Sequence, residues 1–226
     1  MKGRPLSVLS SLALKGVLEK FRPELERAVG RLDLRFDATQ AILARLAQGE
    51  RADLLVLTAE AMDALRAKGE VAEVRALGSS GVGVAVRAGS PKPDIGSVDA
   101  LVRALLAAGS VAHSKVGASG IYFSQLIRDL KLEARIKRIL VVEKGPVGLA
   151  VARGEAELGV QQLCELAPVS GIDIVGPLPA PLQKLTHFAA GILAGAANAT
   201  GAARVMDLLL SDAARAAMLE GGLLPA

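Results

Sequence analysis

Ser114-Lys115-Val116-Gly117-Ala118-Ser119-Gly120-Ile121-Tyr122 follows a short apolar run that begins at Val111 and leads into an amphipathic segment ending near Lys131. Small and hydroxyl-bearing residues between two such stretches read as a strand, a loop and a helix N-terminus. The first turn of a helix leaves backbone N–H groups without intrahelical partners and carries roughly half a positive charge. It is therefore a ready site for an anion. Two other places repeat the design: Val8-Leu9-Ser10-Ser11 before one helix, and Val141-Val142-Glu143-Lys144-Gly145-Pro146 before another. Three such termini, if they converge, would hold a small oxyanion or carboxylate.

Working outward, the hydrophobic spacing predicts a strand over 6–9, a helix over 12–29, a strand over 32–36 and a helix over 38–48 closed by Gly49. A continuous apolar strand over 53–57 follows, and Thr58 is placed to cap a helix over 59–68, with Glu60 and Asp63 near its positive end. Gly78 to Gly81 then reads as a break before a strand over 82–87. Beyond it come a helix over 98–108, the strand 111–114, a helix over 118–131, a strand over 136–142, a helix over 146–153 and a strand over 158–162. A further strand is expected from Ile172, an apolar run over 188–193, and closing helices over 202–210 and 213–219.

This order fits an α/β protein of two lobes, each a mostly parallel sheet flanked by helices, better than an eight-fold barrel, because the series is interrupted in the middle. The expected division is residues 1–80 plus 181–226 for one lobe and 81–180 for the other. In open parallel sheets ligands lie outside the carboxyl ends of the strands, so the ligand is expected in the cleft between the lobes.

Composition narrows the function. Of 226 residues, 51% are hydrophobic but only 2% aromatic, so the core must be aliphatic, as strands buried on both faces require. The net charge of +4 is spread along helical faces, and the one basic cluster, Arg135, Lys137 and Arg138, has no aromatic side chains beside it for base stacking. Nucleic acid is not an expected partner. Cys164 stands alone, which excludes an intramolecular disulfide and reads as a small core residue. Neither His113 nor His187 has ligand-type neighbours at metal spacing, so neither a metal nor a cofactor is expected. The run 188–197 is too short to span a bilayer, and Met1 to Pro5 enters the first strand without an export leader. The chain as it stands is expected to be soluble and cytoplasmic, or periplasmic if a leader has been trimmed.

Several stretches carry a family resemblance. They are Leu43-Ala44-Arg45 with Gly49 and Ala52-Asp53-Leu54, Gly120-Ile121-Tyr122 at a helix start, Gly154-Glu155-Ala156-Glu157-Leu158-Gly159-Val160, and Leu219-Glu220-Gly221-Gly222-Leu223. In this order and spacing the chain resembles the type II periplasmic-binding-protein-like superfamily, and within it the molybdate-binding proteins of ABC transporters. The resemblance implies a Venus-flytrap protein that binds a small anion through hydroxyls and backbone N–H groups, with an ABC permease as partner if it is exported. By position it implies Ser10, Ser11 and Ala13 from the first loop, Thr39 and Gln40 from the second, Ser119 and Gly120 from the third, and Gly145 with Val147 from the fourth. Ala13 stands where molybdate binders carry a serine, and Gln162 where they carry a tyrosine. The stretch from Leu158 to Leu166, followed by Gly171 to Pro179, is similar to a branch of the superfamily that includes aconitate isomerase.

Gln161 and Gln162 offer donors and acceptors together, which suits an organic acid; as alternate strand residues, one of them must face away from the ligand. Ser10 and Ser11 exceed what a helix cap needs, and Ser114 joins Ser119 as a candidate contact. Lys15 and Lys115 are the nearest charges, and His113 is the best placed candidate base. Two functions therefore stand side by side: a binding protein for a small oxyanion or carboxylate, and an isomerase of an unsaturated polycarboxylate using the same cleft.

Overall fold

The computed structural model describes residues 4–226. Met1, Lys2 and Gly3, which entered the reading of the N-terminus, lie outside them. In chain order the first elements are β1 (Leu6–Ser11), a 3-10 turn (Leu12–Leu14), α1 (Lys15–Val29), β2 (Leu32–Asp37), α2 (Thr39–Ala47), β3 (Leu54–Thr58), α3 (Ala59–Ala67) and β4 (Val71–Arg87). Next come α4 (Val98–Ala107), β5 (Val111–Ser114), α5 (Ala118–Asp129), β6 (Ile139–Val142), α6 (Val147–Ala152), β7 (Leu158–Gln162), α7 (Leu163–Leu166) and β8 (Ile172–Pro177). β9 (Leu185–Leu193), α8 (Ala199–Leu209), α9 (Asp212–Glu220) and β10 (Leu224–Pro225) complete the chain.

The chain divides into two compact units, one holding the residues up to Ser79 with Thr186–Ala226, the other Ser80–Leu185. In the first, β2, β1 and β3 run parallel, and β9 pairs antiparallel with β3, Leu54 opposite Ile192. Its helices obey local rules. Thr58 Oγ1 accepts the Ala61 N–H at 3.4 Å and caps α3, as its position before an amphipathic run predicts. Gly49, at φ +93°, turns the chain out of α2. Leu9, Ile42, Leu55, Leu57, Met62 and Ala189 form an aliphatic core between strands and helices.

In the second unit β6, β5 and β7 are parallel, and β7 and β8 both pair antiparallel with β4. Phe123 is fully buried among Leu101, Leu105, Val111, Ile127 and Val160. The parallel register sets His113 beside both Val141 and Val160, so the strand ends Ser114, Val142 and Gln161 stand level.

Several elements differ from the sequence reading: β6 starts at Ile139 rather than at 136, β9 starts at Leu185 rather than at 188, and α7 and β10 were not expected. At Gly78–Gly81 the strand is not interrupted, because β4 continues through it for 17 residues, although the division between the two units falls there, after Ser79. The glycines there serve close approach rather than turning. A Cβ on Gly78 would lie 2.5 Å from the Leu224 carbonyl oxygen, and one on Gly83 would lie 2.3 Å from Leu163 Cδ2. Glycine in a strand is the ordinary solution where another backbone or side chain presses in.

Candidate functional site

In the first unit, the parallel strands end at Ser11, Asp37 and Thr58. Ser10 is fully buried, and its hydroxyl donates to the Ser11 carbonyl at 2.9 Å. Ser11 is different. It stands at the N-cap of the 3-10 turn with extended backbone, yet its side chain makes no capping bond, and its buried Oγ has no hydrogen-bond partner. Capping therefore does not account for it. Ala13 is buried, Thr39 opens α2 partly exposed, and Gln40 is exposed. Lys15 points outward, its ammonium 5.9 Å from the centre of the Phe36 ring.

In the second unit, the loop from β5 into α5 folds tightly over Ser114. A Cβ on Gly120 would stand 1.9 Å from the Ser114 carbonyl oxygen and 2.4 Å from its hydroxyl, and one on Gly117 would stand 2.5 Å from that hydroxyl. Only glycine fits at 120, which explains the small residues that mark this stretch. Ser114 Oγ and Ser119 Oγ are both buried without a partner, and so is Gln162 Nε2 at the end of β7. Buried polar groups are nearly always bonded, and here three without partners lie on the strand end and loop of β5–α5 and on the adjacent strand end of β7. Together with Ser11 they are positions the sequence singles out.

Gln161 is spent otherwise. Its Oε1 accepts the Val147 N–H at 2.8 Å, and its Nε2 donates to the Glu165 carboxylate. Val147, expected to offer its N–H to a ligand, thus has that N–H engaged within the protein. Gly145 turns at φ +87° just before it. Lys115 is exposed and paired with Glu143 at 2.9 Å. His113 is buried, with its Nδ1 3.0 Å from the Ser114 carbonyl oxygen and its ring tilted against Phe123, so it is a satisfied core residue. Cys164 is buried, and burial together with the neighbouring Glu165 pushes its thiol pKa up, away from the thiolate that a nucleophile needs.

Glu165 is the group that the sequence reading quotes without giving it a role. It lies four residues beyond Gln161 on α7, between buried Cys164 and Leu166. Burial pushes its carboxyl up to about 7, against the smaller downward pull of the Gln161 bond. A carboxylate inside the apolar run Leu163–Leu166 is the signal that could have identified it.

Among the described residues no group of three or more His, Cys, Asp or Glu side chains is gathered to hold a metal, and no helix is long and apolar enough to cross a membrane.

The chain is similar to several known proteins. The chain is 39% identical over 230 residues to an aconitate isomerase from Pseudomonas sp., across 97% of this chain and 87% of that one. Among solved structures it is similar to the periplasmic molybdate-binding protein of Azotobacter vinelandii, with a TM-score of 0.76 at 20% identity over 97% of this chain and 98% of the other. It is also similar to a sulfate-binding protein from Mycobacterium tuberculosis, with a TM-score of 0.71 at 16% identity over 99% and 88%. At such identities the structures establish the fold, an α/β periplasmic-binding-protein fold. The match to the bacterial extracellular solute-binding proteins covers residues 6–224, and the chain belongs to that family.

Proposed function

We propose that the protein binds one small carboxylate anion, held by hydroxyl and amide donors rather than by formal positive charge. The observation that supports this most is the group of buried side-chain donors without partners in the second unit, Ser114, Ser119 and Gln162; in the first unit the Ser11 hydroxyl is another such donor. Leaving such a group unsatisfied costs about 1–3 kcal/mol, which a ligand oxygen would offset. Gly120 lies in the first turn of α5 beside Ser119, Gly145 just before α6, and Thr39 at the start of α2; each is assigned to anion binding by its position at a helix start. Ala13 adds no hydroxyl and the Val147 N–H is engaged by Gln161, so the site has fewer donors than a tetrahedral dianion with four oxygens would call on. An organic acid fits the remaining set.

The test is a thermal-shift series with molybdate, tungstate, sulfate, phosphate, citrate and both aconitate isomers. A ligand at a hundredfold its Kd stabilises the fold by about 2.7 kcal/mol. Stabilisation by a carboxylate is expected; stabilisation by molybdate or tungstate alone would overturn the reading. If the protein serves transport, the permease of an ABC transporter is the partner that receives the anion.

A second reading, isomerisation of an unsaturated polycarboxylate, is favoured by the 39% identical relative whose name carries that activity. Moving a double bond within such an acid needs a group that can take and return a proton near the working pH. Proton NMR of each aconitate isomer in the presence of the protein decides: interconversion supports the enzyme, and unchanged spectra after prolonged incubation with a bound isomer remove it.

A further inference from the structure

The end of β7 carries two glutamines with different fates. Gln162 has a free donor, whereas Gln161 is bonded at both ends of its amide. The Val147 N–H can only donate, so it fixes Oε1 of Gln161 on its own side and directs Nε2 toward Glu165. Glu165 must therefore accept at Oε2. A carboxylate can do so, and so can the carbonyl oxygen of a protonated carboxylic acid. The bridge survives either charge state, so Glu165 can gain or lose a proton without disturbing β7 or the start of α6.

Its surroundings do not set the charge for it. Of the elements packed against α7, β7 and α6 carry no ionisable side chain, and β4, which meets α7 at Ser80 and Gly83, carries none between Ala76 and Val86. β8 carries Asp173, whose carboxylate accepts the Gly89 N–H at 2.9 Å. On α7 itself the one other titratable group is the Cys164 thiol, raised by burial and by Glu165. No cation pairs with Glu165 among the described ion pairs, unlike Glu143, which holds Lys115. Gln162 is the N-cap of α7 and Glu165 lies in its first turn, so an unpaired carboxylate on the half-buried Glu165 would repel an anion bound at Gln162.

We propose that Glu165 takes up a proton from solvent when an anion binds at the carboxyl edge of the second unit, and so links ligand affinity to pH. This rests on the reading of that edge as an anion site. Glu165 is a positioning residue in this scheme, acting through its charge and through Gln161. Bound anion, ionised Glu165 and one solvent proton give the complex with Glu165 as the neutral acid. Ligand-free Glu165 is poised to respond, because burial already holds its carboxyl near neutrality. The linkage has a definite sign: affinity is full below the ligand-free midpoint and falls, by up to about tenfold per pH unit, above it.

The experiment is calorimetric titration of the full chain with trans-aconitate, at pH 6, 7 and 8, in buffers of different ionisation enthalpy. Uptake of up to about half a proton at pH 7 is expected, with weaker binding at pH 8 than at pH 6. Glu165→Gln, which mimics the neutral acid, is expected to bind without proton uptake and without pH dependence over that range. A 13C titration of the glutamate carboxyls in the ligand-free protein, with Glu165 assigned by that variant, provides a readout that needs no ligand. Binding without proton uptake overturns the linkage and leaves the anion site standing. If no tested anion binds although Glu165 titrates near neutrality, the anion site falls and the linkage with it, while a Glu165 that titrates below pH 5 overturns the linkage alone.

Discussion

Each unit of the molecule withdraws a carboxylate from water, fully at Asp53 and partly at Glu165, and the two are treated in opposite ways. Asp53, at the start of β3, is fully buried and saturated: it accepts from Arg4 at 2.7 and 2.8 Å, from the Ser7 N–H at 2.9 Å, from the Ser7 hydroxyl at 3.1 Å and from the Asn198 N–H at 3.0 Å. It ties β1, β3 and the cap of α8 together. Among the described residues Glu165 has one amide donor and no cation. Burial pushes both carboxyls upward, but at Asp53 the hydrogen bonds and Arg4 outweigh it and hold the group below its usual range, whereas at Glu165 burial prevails. The same contrast separates the Ser7 hydroxyl, which the protein uses fully, from those of Ser114 and Ser119. A saturated buried polar group maintains the fold; an unsaturated one is held ready for something else.

Removing the saturated group should have the largest effect. Asp53→Ala leaves buried N–H groups and Arg4 without their acceptor and is expected to destabilise the protein by about 3 kcal/mol or more in chemical denaturation. Because the folded Asp53 pKa lies below its unfolded value, its contribution is complete above about pH 4 and disappears as pH falls through the folded value. Asp53→Asn should therefore flatten the acid limb of the stability profile. An unchanged acid limb would show that the hub does not hold its charge.

Gly120→Ala comes next and affects fold and site together. The new methyl would have to lie 1.9 Å from the Ser114 carbonyl oxygen, so the loop must shift, at a cost of about 2 kcal/mol. Anion binding should be lost with it. A variant that keeps both stability and binding would mean that the loop adapts and that Gly120 is not needed for close approach.

Glu165→Gln tests the other carboxylate, and its sign is the reverse of that at Asp53. The folded pKa is raised, so wild-type stability is full below about pH 4 and declines as pH rises toward the folded value of about 7. The variant should be more stable than wild type at pH 8, by about 2 kcal/mol, and no more stable at pH 4. Equal stabilities at pH 8 would place Glu165 in an environment like water.

Much of this contrast could be read in advance, and the reasons it was not complete are local. Periodicity located β5, β7 and the helices α4, α5 and α6, and Thr58 announced its cap, because those signals lie in adjacent residues. The loop from Ser114 to Tyr122 was legible because small residues and hydroxyls between a strand and a helix have few other uses. By contrast, the glycines of β4 signal space as readily as they signal a turn, and what fills the space, Leu224 or Leu163, is far away in sequence. The distinct roles of Gln161 and Gln162 follow from period 2 only as an either-or; Val147 and Glu165, which decide it, enter through tertiary packing.

The donors without partners should respond differently from Asp53. Ser114→Ala and Ser119→Ala each remove a buried hydroxyl that has no bond to lose, so stability should stay within about 1 kcal/mol of wild type or rise. Ligand affinity, by contrast, should fall by about tenfold per hydroxyl. Thermal unfolding with and without the bound carboxylate reads both. If either alanine variant destabilises the free protein as Asp53→Ala does, the hydroxyl belongs to the fold.

The smallest expected effect sharpens the comparison to two adjacent residues. The Ser10 hydroxyl donates to the Ser11 carbonyl at 2.9 Å, while the Ser11 hydroxyl is buried without a partner. Both are serines on one strand, both are buried, and the sequence treats them as a pair. Ser10→Ala loses one neutral hydrogen bond and should cost about 1 kcal/mol of stability with little change in carboxylate affinity. Ser11→Ala should show the reverse, unchanged stability and weakened binding. The hydroxyl count is the same in the two variants, so only the partner distinguishes them. Equal losses of affinity would mean that Ser10 turns from the carbonyl to the ligand on binding, and that the division between structural and ligand-directed hydroxyls in this unit exists in the free protein alone.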